Sequence, residues 1–217
     1  MDDATRALLE LWDTTEDTVD GLGPADWGRP LARTDRARAC AALDTGGTDV
    51  TDLVVHLGGV HYLGPDRLRA ALATAHARAG HQLTHAAPHG EELAAQCLDM
   101  CLHTHDLLAA LDRELDADEA GPAAAQACRL VVGMIPRLLA RTPEPRASAL
   151  RIVVRSVPAG PVVVDRAFPT TGRRAPEVLE ADAVALLLAL SARRSVGELR
   201  GRVVCDGPTA ERVLAAV

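Results

Sequence analysis

The chain has 217 residues, enough for one domain or two small ones, and its 48% hydrophobic and 24% charged content is that of a globular protein. With 2% aromatic residues and a formal net charge of −7, it lacks both the stacking platforms and the basic surface that nucleic-acid binding uses, so no nucleic-acid partner is expected. No apolar run is long enough to span a bilayer and the N-terminus is polar and acidic, so a cytoplasmic location and no membrane partner are expected.

The first helix is predicted over Asp3 to Val19, where Leu8, Leu11, Trp12, Thr15 and Val19 recur at helical spacing. Gly21-Leu-Gly-Pro24 stops it, and a polar, arginine-rich stretch from Ala25 to Gly47 follows without a clear period. A second helix begins near Thr48 or Asp49 and carries Val50, Leu53, Val54 and Leu57. Pro65 suits the first position of a third, whose apolar positions are Leu68, Ala71, Leu72 and Ala75. Gly80 to Gly90, with His81, His85 and His89, reads as a solvated loop. A long helix is predicted over Glu91 to Leu115 and another over Pro122 to Leu139, distorted near Gly133 and Pro136.

Thr142-Pro-Glu-Pro145 is the predicted boundary, because two closely spaced prolines cannot continue a helix. It divides the chain into a helical domain, 1–142, and a small α+β domain, 146–217. Beyond it the hydrophobic period changes to two. Leu150, Ile152 and Val154 alternate into one strand, and Val162 to Phe168 forms its hairpin partner across Pro158-Ala-Gly-Pro161. Asp182 is placed to cap a helix running through Leu190. Ser195 and Glu198 have capping-box spacing for a short helix, Arg202 to Cys205 reads as a strand, and Pro208 starts a closing helix. The cysteines Cys40, Cys97, Cys101, Cys128 and Cys205 are odd in number and irregularly spaced, which fits reduced, mostly buried thiols rather than a disulfide framework.

Two segments carry chemistry. One is Asp52-Leu-Val-Val-His56-Leu-Gly58, the other Asp99-Met-Cys-Leu-His103-Thr-His-Asp106. Asp99 and His103 are four apart and project from one helix face. With a second imidazole from a facing helix, His56, they form a set that can hold a divalent metal and leave a coordination position open, the pattern of a catalytic zinc site. A lone histidine on an apolar helix is more often a satisfied core residue, so the weight rests on the three together. His105 stands about 200° around the helix from His103 and is expected to face away from it. Asp106 flanks the ligand face. It is either a surface or interhelical hydrogen-bonding group or an acceptor for a ligand imidazole N–H.

On these segments the chain resembles the mycothiol-dependent maleylpyruvate isomerase family. Its D-L-V-x-H-L helix is matched by Asp52 to Leu57, and its E-x-x-x-H-x-x-D helix by Asp99, His103 and Asp106, with Asp99 standing where that family has Glu. Gly21 to Trp27 with Arg29-Pro30, and the tail segments Glu180 to Asp182, Leu186 to Arg194 and Val203 to Gly207, extend the resemblance over most of the chain. It implies an α+β protein: an N-terminal DinB-like four-helix bundle followed by a small sterol-carrier-like domain. It implies His56, Asp99 and His103 as ligands of a divalent metal, zinc first, with mycothiol as thiol cofactor. C-terminal arginines would hold a substrate carboxylate. The pairs it offers are Arg173-Arg174 and Arg193-Arg194, and Arg173, Arg174 and Arg194 are taken as the catalytic set. The expected protein is a metal-dependent isomerase or S-transferase acting on a small electrophilic carboxylate, as a monomer or small homo-oligomer. The competing readings are a non-catalytic small-molecule-binding protein and a biosynthetic enzyme that reuses the fold.

Overall fold

The computed structural model describes residues 1–31, 47–61, 63–85, 88–140, 149–168 and 176–215. Helices α1 (Asp3–Asp20), α2 (Val50–Gly58), α3 (Pro65–His85), α4 (Glu91–Ala110) and α5 (Ala117–Ala140) come first. Strands β1 (Leu150–Arg155), β2 (Val162–Phe168) and β3 (Glu177–Asp182) follow, then α6 (Ala183–Leu190), β4 (Val203–Asp206) and α7 (Pro208–Ala215). The protein is therefore α+β, with helices in the N-terminal part and a four-stranded mixed sheet with helices after them.

Local chemistry sets the ends of these helices. Asp2 caps α1 by accepting from the Thr5 N–H at 2.7 Å. Asp116 opens α5: its carboxylate accepts from the Asp118 N–H and its carbonyl from the Ala120 N–H. This cap starts α5 at Ala117, earlier than the expected Pro122, and the helix accommodates both Pro122 and Pro136. The loop expected over 80–90 is corrected in its first half. There α3 continues to His85, with the His81 and His85 rings stacked 4.3 Å apart one turn from each other on the exposed face. Leu83, buried in that last stretch, anchors it to the core.

The sheet order is β2-β1-β3-β4. β1 and β2 form the expected antiparallel hairpin, β1 and β3 run parallel, and β3 and β4 are antiparallel. Leu150, Ile152 and Val154 of β1, with Leu179 and Ala181 of β3, are buried on the inner face. The outer face carries ion pairs instead, Arg151 to Asp165 and Arg155 to Glu180. Asp182 ends β3 and begins α6, accepting from the Ala185 N–H at 3.0 Å while Arg202 donates two bonds to it at 2.8 Å each. Glu177 caps α7 from across the sheet by accepting from the Thr209 and Ala210 N–H groups. Ser195 and Glu198 do exchange reciprocal bonds, but they close a turn and not a helix.

Every residue of α6 is buried, and these side chains join those of α1, α4 and α5 in one continuous apolar core. Each fully buried leucine there contributes about 1.5–3 kcal/mol. The boundary expected at Thr142 to Pro145 lies outside the described residues, and on either side of it the helical and β parts share this core. Cys97, Cys101 and Cys128 are buried free thiols, and burial pushes Cys97 up to about 12; Cys40 lies outside the described residues. Among the described residues, no helix is long and apolar enough to cross a membrane.

Candidate metal centre

His56 is held by the way α2 is tied at both ends. At the start, Asp49 caps the helix through the Asp52 N–H, and the Trp27 carbonyl accepts from both the backbone N–H and the hydroxyl of Thr51. At the end, Gly59 adopts a left-handed conformation, φ 60°. Its N–H donates to the His56 carbonyl at 3.1 Å, and the Val60 N–H donates to the Val55 carbonyl at 3.3 Å, the paired bonds of a Schellman motif. His56 thus sits in a last turn whose direction is fixed by a residue that only glycine suits well.

Asp99 and His103 lie one turn apart on α4. The ligand atoms of His56, Asp99 and His103 all lie within 4.8 Å of one another. His103 is fully buried, whereas His56 is exposed and the Asp99 side chain is 56% exposed. The cluster therefore has its floor in the core and its open side toward solvent. Nε2 of His103 stands 3.1 Å from the Asp99 carboxylate, and its ring lies 5.0 Å from that of His56. Nδ1 of His103 has no hydrogen-bond partner among the described residues, and Nε2 has the Asp99 carboxylate as its ion-pairing neighbour. A cation shared by Nε2, the Asp99 carboxylate and His56 would take up the lone pairs that converge there. Desolvation works to raise the Asp99 pKa, but the adjacent His103, with His56 and Arg193, outweighs it and holds the carboxyl below its ordinary value.

The next three residues of α4 are also polar and buried: Thr104, His105 and Asp106. Thr104 shares a hydrogen bond with Thr15 of α1 at 3.0 Å. Asp106, 1% exposed, receives Nε of Arg193 at 3.2 Å on one oxygen and Nη2 at 3.1 Å on the other. It anchors this arginine, and His103 Nδ1 is left without an acceptor. Arg193 is itself 2% exposed, turned inward just after α6 by the left-handed Ala192.

Of the expected arginines, Arg193 contributes positive charge to Asp99. Arg194 reaches Glu198 at 3.5 Å and lines a cleft of about 160 Å³ with His105 and Arg202. Arg173 and Arg174 lie outside the described residues. His105 is not in the cluster, as its helical phase implies, but it faces the C-terminal part rather than solvent. Burial takes its pKa down to about 4. The Asp106–Arg193 pair was missed at the sequence level because no local spacing joins residues 87 apart. Four consecutive polar residues, 103–106, between the apolar Leu102 and Leu107, were the available signal. No protein-family model, curated protein or solved structure matches this chain.

Proposed function

We propose that His56, Asp99 and His103 hold one divalent ion, zinc before others, and that the chain uses it to activate a thiol cofactor toward a small electrophile. The observation that carries this reading is the convergence of one ligand atom each from His56, Asp99 and His103 within 4.8 Å, with the His103 ring wholly buried. Two nitrogens and one oxygen from the protein suit zinc and leave a coordination position for a further ligand. The resemblance of the two motifs to the mycothiol-dependent maleylpyruvate isomerase family supports the sulfur of mycothiol as that ligand. It also favours reading the helical part as a DinB-like bundle and the C-terminal part as a sterol-carrier-like unit. The bound ion supplies the positive charge that lowers a thiol's pKa.

The chain's own residues do the rest. His103 fixes the floor of the site because the core holds its ring. His56 and Asp99 stand on the solvent side, so cofactor and substrate approach over them. Arg193 and Asp106 form a buried pair that braces the turn after α6 against the stretch of α4 that follows His103. Isomerase and S-transferase reactions need the same activated sulfur, and the product distinguishes them.

Calorimetric titration with mycothiol tests the proposal. The zinc-loaded protein is expected to bind it with proton release near neutral pH, because the thiol must ionise to ligate. Glutathione, which differs away from the sulfur, is expected to bind more weakly. Binding at equal affinity by metal-free protein, or no binding by either form, would overturn the thiol mechanism.

A further inference from the structure

A second cleft, of about 540 Å³, lies at the other end of α4. Gly90 and Glu91 form one wall, Arg129, Gly133 and Arg137 of α5 another, and Arg166 of β2 a third. Gly90 is nine residues before Asp99, which puts this wall about 13 Å along the helix from the metal cluster. The volume is in the range of a small-molecule site.

The charge of the cleft is unusual for a chain of net charge −7. Arg129, Gly133 and Arg137 are four apart in turn, so they share one face of α5. Arg166 alternates onto the inner face of the sheet, opposite Ile152, and its guanidinium lies across α5 at Gly133, between the other two. Arg129 donates to the Gln126 side chain. Arg137 and Arg166 have no ion-pair partner among the described residues, whereas Arg151 on the outer face is paired with Asp165. Three guanidiniums face one lining carboxylate, Glu91, a surplus of two positive charges. No side chain caps the first turn of α4, so its N–H groups add to the positive field at Gly90. Leu130 and Met134 add apolar surface to the same walls.

Like charges gathered this way repel unless an anion joins them. Guanidinium forks arriving from two elements suit the several oxygens of a phosphate better than one flat carboxylate. We infer that this cleft binds the dianionic phosphate group of a small phosphomonoester, with Arg129, Arg137 and Arg166 around the phosphate and the organic part on Leu130 and Met134. The site is independent of the metal centre.

The test uses the full chain titrated with phenyl phosphate, inorganic phosphate and dimethyl phosphate, followed by calorimetry and by NMR shifts. Phenyl phosphate is expected to saturate one site, more tightly than inorganic phosphate and much more tightly than monoanionic dimethyl phosphate. Arg129→Gln, Arg137→Gln and Arg166→Gln are each expected to weaken it by about tenfold, one charged hydrogen-bonding partner apiece, while Arg151→Gln leaves it unchanged. All four residues are exposed, and unchanged melting curves verify the fold. No saturable binding, equal binding across the variants, or binding only to phosphatidylglycerol vesicles or single-stranded DNA would overturn the inference.

Discussion

The buried pair between Asp106 and Arg193 makes a demanding prediction. It joins α4 to the turn after α6, and both groups are at most 2% exposed. Arg193→Met removes the charge and retains much of the volume, which leaves the Asp106 carboxylate buried without its bidentate donor. Breaking such a pair from one side costs about 3–5 kcal/mol. For a chain of this length each kcal/mol shifts the melting temperature by about 2–4 °C, so a fall of about 6–20 °C is expected. Asp106→Asn should cost a similar amount. The double variant Asp106→Asn with Arg193→Met should cost clearly less than the two single costs added, because the second change removes the group that the first left stranded. Urea denaturation of all four proteins measures this cycle. A single-variant cost under about 1 kcal/mol, or strict additivity, would refute the reasoning, since exposed pairs behave that way.

Three further outcomes follow from other residues. His105 is held neutral at about 4 against an ordinary 6.5, so metal-free protein should keep its full stability above about pH 6.5 and lose it as pH falls toward 4. The size is about 3 kcal/mol, and His105→Gln should flatten that slope in urea midpoints measured across the range; an unchanged slope would contradict the assignment. Asp182→Ala removes the α6 cap together with the Arg202 pair and should cost about 2–4 kcal/mol by chemical denaturation, whereas Asp182→Ser should recover about 1 kcal/mol of it through capping alone. Gly59→Ala forces a left-handed alanine at the end of α2 and should cost about 1–2 kcal/mol in a thermal melt; no loss would mean that the turn after His56 relaxes freely.

Much of the secondary structure was legible where one local cue dominates. The spacing of Leu8, Leu11, Trp12, Thr15 and Val19 gave α1, the alternation in Leu150 to Val154 gave β1, and Asp182 gave the start of α6. β3 was not read from its sequence. Glu177-Val-Leu-Glu-Ala-Asp182 looks too acidic for a strand flanked on both sides, and distant partners, Thr209, Arg155 and Arg202, engage its acids. The end of α3 was misjudged because Gly80 and three histidines suggest a loop, while the burial of Leu83 that extends the helix is a tertiary fact. The juxtaposition of His56, Asp99 and His103 could be proposed from helical phase plus the family resemblance. The role of Arg193 could not, because its direction depends on the backbone at Ala192 and on a carboxylate 87 residues away.

The metal centre is tested most directly by titrating chelator-treated protein with zinc and counting ions and protons together. The arrangement of His56, Asp99 and His103 predicts one equivalent bound. Occupancy should be lost in His56→Ala, Asp99→Ala and His103→Ala and kept in His105→Ala. Zinc bound far below one equivalent, or bound equally well when any of the three is replaced, would contradict the account.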